Sequence, residues 1–268
     1  MNKRKVGLAL GGGSVRGLAH IGVLKVLARE HIPIDVVAGT SAGALIGGML
    51  ASGMNPEEIE ATVRRLASKK YSLLVDPAVP RTGLIRGKKI KNALRFIYRD
   101  LKFSDLKLPF ACVCTDINNG EAVTMNEGSL LEAVQASVTL PVLMAAIRRD
   151  GRYMVDGSLV NPIPVNVLKE MGTDFIIAVN VSSSGLAPVQ SPKTPSIFRI
   201  AMHTLHISTS QSLRPSLVGA DVVIEPPLGR IGHFEFQKLD ECIEIGMQTA
   251  EAAIPEIKSR LSALRIMA

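Results

Sequence analysis

No stretch of the chain reaches the roughly 18 consecutive apolar residues that a membrane-spanning helix requires, although 47% of its residues are hydrophobic. The apolar residues are therefore left for a buried core, and 268 residues supply ample material for one large α/β domain. The amino terminus, Met1-Asn2-Lys3-Arg4-Lys5 ahead of Val6 to Leu10, has the charge of a secretion signal. Its apolar part is too short, however, and no A-x-A-like cleavage site follows, so it reads as the start of the first strand. The expected location is the cytoplasm, peripheral to the inner face of the membrane. Cysteine is scarce: Cys112, Cys114 and Cys242 make an odd count, which excludes a disulfide framework. Cys112 and Cys114 lie two apart on one face of a strand with no second ligand pair, and read as buried thiols, not a metal site. Internal repeats and marked domain boundaries are also missing. Residues 1–268 read as a single domain, with its motifs over about 5–181 and a carboxyl-terminal strand and helices over 197–268.

The net charge of +7 is unevenly spread. From Arg81 to Lys107 there are nine Lys or Arg against Asp100 and Asp105, which accounts for the whole excess. From Asp221 to Glu256 eight acidic residues face only Arg230 and Lys238. Such polarity concerns what the molecule lies against, not its fold. The basic helix pattern over Lys88 to Arg99, with Lys88, Lys91, Arg95 and Arg99 beside the apolar stripe Ile90, Leu94, Ile97 and Leu101, fits reversible contact with an anionic membrane surface. It fits a solvated helix face equally well. No nucleic-acid partner is implied.

The stretch with chemistry in it is Gly39-Thr40-Ser41-Ala42-Gly43. It follows the apolar run Asp35 to Ala38 and opens a helix-like stretch, Ala44 to Leu50. Strand, Gly-x-Ser-x-Gly, helix is the context of a nucleophile elbow, where a sharp turn presents a serine hydroxyl at the carboxyl edge of a sheet. Gly39 and Gly43 are needed because a side chain on either flank would collide with a neighbouring strand or helix. Upstream, the buried strand Val6 to Leu10 runs into Gly11-Gly12-Gly13-Ser14-Val15-Arg16-Gly17 and then a helix. A dinucleotide loop would place a third glycine where Arg16 stands, and would put its acidic residue after the second strand, whereas Asp35 precedes it. The alternative use is an oxyanion hole: bare amides at a helix amino terminus, delivered to the same sheet edge as Ser41.

The remaining elements read as an Asn55-capped helix from Pro56 to about Lys70, a loop over 71–87, a strand from Leu108 to Asp116 turning back at Asn118-Asn119-Gly120, and a helix capped by Asn126 or Ser129. A hairpin through Asp150-Gly151 follows, ending at Asp156-Gly157-Ser158. Beyond a helix from Pro164, a strand from Phe175 and a flexible loop over 182–196, the pattern gives a helix from Ile197, a strand at Asp221 to Glu225, and a helix from Lys238 broken at Pro255.

Ser41 needs a base. His20 is a packed or capping histidine within a helix, and His31 lies in a turn. His203, His206 and His233 could formally complete a Ser-His-Asp triad, since they follow the serine in the chain. Asp156 ends a strand, precedes a glycine and lies in a stretch of low charge; a carboxylate held against a serine can take its proton directly. Asp-Gly is also a common turn.

Gly11-Gly12-Gly13-x-x-Arg16-Gly17, Gly39-Thr40-Ser41-Ala42-Gly43, Ala136-Ser137-x-x-x-Pro141 and Asp156-Gly157, in that order and spacing, resemble the patatin-like phospholipase family. Ser158 stands where the family usually has Gly or Ala, and the glycine loop has one residue more before Arg16 than the shortest family version. The resemblance implies an α/β fold with a mostly parallel central sheet flanked by helices on both faces, a Ser41–Asp156 dyad, and an oxyanion hole from Gly11, Gly12, Gly13 and Arg16. It implies hydrolysis of lipid esters (phospholipid, lysophospholipid or neutral lipid) without metal or cofactor. A small-ester carboxylesterase using a histidine triad, and a non-catalytic lipid-binding protein on the same fold, are the alternatives.

Overall fold

A computed structural model describes residues 4–68, 87–182, 197–232 and 235–266. Its sheet is built from β1 (Val6–Leu10), β2 (Val36–Thr40), β3 (Phe110–Asp116), β4 (Glu121–Met125), β5 (Ile147–Arg149), β6 (Arg152–Asp156), β7 (Phe175–Val179) and β8 (Val222–Ile224). Hydrogen-bonded neighbours follow the order β5-β6-β3-β2-β1-β7-β8, with β4 also paired to β3. The pairs β3–β2, β2–β1, β1–β7 and β7–β8 are parallel, while β4, β5 and β6 join antiparallel.

Every residue of β1, β2, β3 and β7 is buried, as continuous apolar runs in a doubly covered sheet require. The two faces nevertheless differ. Leu8, Val37, Cys112, Ile177 and their alternates point into the larger core. Ala9, Ala38, Ala111 and Ala178 point into the smaller one. The register sets these four alanines side by side, Ala111 against Ala38, Ala38 against Ala9, and Ala9 against Ala178. Helix α6 (Val165–Glu170) packs on this shallow row through Val165, Val167 and Leu168, and Leu213 of α7 (Ile197–Ser216) reaches the same core.

The other face carries α1 (Ala19–Arg29), α2 (Ala42–Ala51), α3 (Pro56–Ser68), α4 (Lys88–Tyr98), α5 (Leu130–Ser137) and α8 (Leu239–Ile266). Helices α1 and α8 meet through glycines: a Cβ on Gly22 would stand 2.0 Å from the Ile243 carbonyl oxygen, and one on Gly246 would stand 2.2 Å from that of Ala19. The expected break at Pro255 does not occur, and α8 continues through it. Proline removes one helical hydrogen bond and clashes locally, but Ala250 and Ile254 before it and Ile257 and Leu261 after it are all buried against the same core, and that burial holds the helix in line. Asn55 caps α3 reciprocally with Glu58 (2.8 and 2.9 Å), and Ser129, of the two candidates, caps α5. The expected loops lie outside the described residues over 71–86 and 183–196.

One detail of register positions the ends of β2 and β6. Strand β4 pairs with Cys112 to Asp116 of β3, β2 pairs with Phe110 to Val113, and β6 with Cys114 to Asp116. Because β4 overlaps both of the others, it must occupy one edge of β3 while β2 and β6 share the opposite edge, end to end. Strand β2 runs parallel to β3 and β6 antiparallel, so their carboxyl ends meet at the Val113–Cys114 step.

Candidate active site

Ser41 follows β2 directly and is the N-cap residue of α2. An N-cap serine ordinarily turns its hydroxyl back onto the helix amides. Here it makes no such bond. Its backbone, at φ 55° and ψ −121°, lies outside the basins open to a residue with a side chain. Strain of this kind costs about 1–3 kcal/mol and persists only where the surroundings enforce it. A Cβ on Gly39 would lie 2.4 Å from the Gly43 carbonyl oxygen, and one on Gly43 would lie 2.0 Å from that of Leu10. The Ser41 amide donates to Ser137 Oγ (2.9 Å), which in turn donates to the Val113 carbonyl (2.6 Å).

Asp156 arrives at the end of β6. Its amide donates to the Thr139 carbonyl (2.8 Å) and its carbonyl accepts from Thr115 Oγ1 (2.9 Å). Oδ1 accepts from the Ser158 amide (2.8 Å), and Oδ2 accepts directly from Ser41 Oγ at 2.5 Å. The carboxyl group is 2% exposed. Burial pushes its pKa above the ordinary aspartate value, against the opposing pull of the hydrogen bonds from Ser41 and Ser158. No described histidine intervenes. His20 is fully buried and donates from Nε2 to the Gly11 carbonyl (2.8 Å). Burial drives its pKa down to about 4, so the ring is neutral and Nδ1 is left without a partner. His203 sits on α7 but does not line the site, while His233 and the His206 side chain lie outside the described residues.

The glycine loop lies beside this pair. A Cβ on Gly12 would come within 2.1 Å of Ser158 Oγ and 3.3 Å of the Ser41 Cβ. The Gly11 amide donates to the Val179 carbonyl and the Gly12 amide to that of Pro162, each at 3.0 Å. The Gly13 amide donates to no acceptor among the described residues. Arg16, 2% exposed, turns away: its Nε donates to the Ile231 carbonyl (2.8 Å), and burial lowers its pKa. Gly11 and Gly12 thus spend their amides on the scaffold, and Arg16 ties the loop to the carboxyl-terminal segment.

The family model for patatin-like phospholipases matches residues 8–169. The chain belongs to that family. Lysophospholipase nte1 of Emericella nidulans is 28% identical over 282 residues, covering 96% of this chain and 18% of its own length. An uncharacterized NTE family protein of Mycobacterium tuberculosis is 34% identical over 186 residues, covering 69% of this chain and 51% of its own. The chain therefore spans between about a fifth and a half of these curated relatives. Among solved structures, VipD from Legionella pneumophila aligns with a TM-score of 0.64 at 14% identity, over 95% of this chain and 67% of VipD. That likeness concerns the fold.

The site opens into a cleft. Leu140, Pro141, Leu159 and Pro162, with Leu205 and Leu213 of α7, give it apolar walls. Asp156 is the one ionisable group among the described residues that line it. No group of three or more His, Cys, Asp or Glu side chains able to hold a metal ion occurs among the described residues. Sequence reasoning missed the residues that hold the pair in place: Ser137 under Ser41, Thr115 and Thr139 around Asp156. Only Ser137 carried a signal, as part of the Ala136-Ser137-x-x-x-Pro141 block. The Thr115 hydroxyl and the Thr139 carbonyl meet the Asp156 backbone across the fold, with no local pattern to announce them.

Proposed function

We propose that the chain is a serine acyl hydrolase that cleaves lipid carboxylic esters, lysophospholipids first among them, through Ser41 and Asp156. The observation that carries this reading is the direct 2.5 Å hydrogen bond from Ser41 Oγ to a buried carboxylate, at the floor of an apolar cleft. Ser41 Oγ attacks the ester carbonyl carbon while its proton passes to Asp156 Oδ2. The oxyanion that forms is held by the Gly13 amide in a loop shaped by Gly11 and Gly12, with the positive end of α2 beneath. Asp156 then protonates the departing alcohol as the acyl-serine forms. It next takes a proton from a water molecule that attacks this ester, and returns it to Ser41 Oγ as the fatty acid leaves. The apolar walls suit an acyl chain, and relatives named as lysophospholipases favour a single-chain substrate.

Ser41→Ala tests the assignment. Hydrolysis of lysophosphatidylcholine and covalent labelling by a fluorophosphonate should both vanish in a protein that unfolds at the parent's temperature; turnover above a hundredth of the parent's rate overturns it.

We further propose that α4 brings the enzyme to an anionic membrane as a peripheral protein. No helix among the described residues is long and apolar enough to cross one. Lys88, Arg95, Phe96 and Arg99 are exposed, while Tyr98, buried on the opposite side, donates to the Leu45 carbonyl of the nucleophile's own helix (2.6 Å). Each basic side chain at such a surface contributes about 1 kcal/mol, screened beyond a Debye length of about 8 Å at physiological salt. Neutralising Lys88, Lys91, Arg95 and Arg99 together should abolish salt-sensitive binding to phosphatidylserine vesicles and leave hydrolysis of a soluble short-chain ester intact. Vesicle binding indifferent to both changes reduces α4 to a solvated face.

A further inference from the structure

Two side chains reach the glycine loop from outside and donate to its carbonyls. His20 Nε2 donates to the Gly11 carbonyl (2.8 Å), and Ser182 Oγ donates to the Gly12 carbonyl (2.9 Å). A carbonyl belongs to the same rigid plane as the amide of the next residue, and in a trans peptide the two point in opposite directions. No peptide bond among the described residues is cis. His20 thus orients the Gly11–Gly12 plane, whose amide is already taken by Pro162. Ser182 orients the Gly12–Gly13 plane, whose amide meets no acceptor among the described residues.

We propose that Ser182 is the positioning residue of the oxyanion donor. It rests on the reading of Gly13 as that donor. Holding the Gly12 oxygen fixes the direction of the Gly13 N–H before any substrate arrives, which is what preorganised electrostatic stabilisation requires. Donation to the carbonyl also polarises the peptide, and this strengthens the amide as a donor. Ser182 is itself held. Its amide donates to Asn180 Oδ1 (3.0 Å), and Asn180 Nδ2 donates to Glu225 Oε1 (2.7 Å). Asn180 is 3% exposed, its own amide bonded to the Ile224 carbonyl (2.9 Å). The chain of contacts runs from the end of β8 through the end of β7 to the loop after β1, crossing the sheet edge on the side away from Asp156. Ser182 lines the cleft without touching the dyad.

The test compares Ser182→Ala, Ser182→Cys and Ser182→Thr with the parent, using kcat and KM for lysophosphatidylcholine and the affinity of a reversible trifluoromethyl ketone, whose adduct places an oxyanion in the hole. Removing an oxyanion donor outright costs about 10²–10³ in kcat; losing its orienting partner should cost about tenfold. We expect S182A to lose this factor in kcat and in ketone affinity alike, with KM within twofold. S182T, which keeps the hydroxyl, should recover most of it. S182C, nearly isosteric with a weak S–H donor, should fall between, and it replaces S182A if that variant does not fold. Values of kcat within twofold of the parent for both S182A and S182C overturn the proposal, as does a loss in KM alone or an S182T as poor as S182A. If turnover in the unchanged protein does not depend on Ser41, the underlying reading of the site falls, and this one with it; Ser41-dependent turnover with an indifferent Ser182 removes only the present proposal.

Discussion

The Ser41 half of the site is assembled mainly from consecutive residues, whereas the Asp156 half is assembled by the sheet. Strand, glycine, strained serine, glycine and helix follow one another from Val36 to Ala51, and the crowding at Gly39 and Gly43 leaves no room for a side chain on either flank of the turn. Asp156 comes from 115 residues further along, on a hairpin strand that shares an edge of β3 with β2. It is where it is because two strands of opposite direction run out of partner at the same step. The first arrangement rests mainly on neighbours in the chain, with Ser137 beneath it; the second depends on every contact that keeps β6 in register.

Asp156→Asn tests that comparison most severely. The amide keeps the shape and can still accept from the Ser158 amide, but it cannot take a proton, so kcat should fall by several orders of magnitude. Stability should move the other way. Between the ordinary aspartate value of about 3.9 and the raised value of Asp156, the folded chain keeps a proton that the unfolded chain has released. Stability is therefore lost as pH rises through that window. Asparagine never ionises, and D156N should melt above the parent at pH 7, by a margin that closes below about pH 4. A variant that is both inactive and less stable at neutral pH would point to a structural carboxylate.

His20, on the nucleophile's side, titrates with the opposite sign. The folded ring stays neutral down to about 4, while the unfolded one takes up a proton near 6.5. Its contribution is complete above pH 6.5 and declines by about 3 kcal/mol as the pH falls to 4. Urea unfolding between pH 7 and 4.5 should show this slope in the parent and its absence in His20→Gln. Ser137→Ala should have the smallest effect of the three. Leaving the Ser41 amide and one bond of the Val113 carbonyl unmet costs about 1–3 kcal/mol, and a relaxed elbow should lower kcat about tenfold. Equal losses from S137A and from Thr115→Val, its counterpart beneath Asp156, would erase the distinction between the two halves.

The same division decides what could be read from the chain. Apolar runs, glycines and the Ser129 and Asn55 caps are local signals, and the elements they predict are present within a residue or two. Ser41 was legible from its neighbours. Asp156 needed the family resemblance, since an Asp-Gly pair at the end of a hairpin looks like any turn. The commitments of the Gly11 and Gly12 amides could not be foreseen, because their acceptors, Val179 and Pro162, are brought in by the parallel sheet and by the approach to α6. Nor could the continuity of α8 through Pro255, which a long packed interface decides against local preference. Tyr98 joined the buried side of α4 because its hydroxyl finds the Leu45 carbonyl, an acceptor on another helix.

The row Ala111, Ala38, Ala9 and Ala178 acts as a shim. Its thinness sets how far α6 stands from the sheet, and the residues leading into α6 include Asn161 and Pro162, whose carbonyls receive Thr40 Oγ1 and the Gly12 amide. A methyl group or two added to Ala38 or Ala9 would lift that helix and carry both acceptors with it, loosening the elbow and the glycine loop together. Tolerance in this chain is therefore not graded by distance from Ser41: a row of alanines buried between the sheet and α6 is fitted as closely as the cleft.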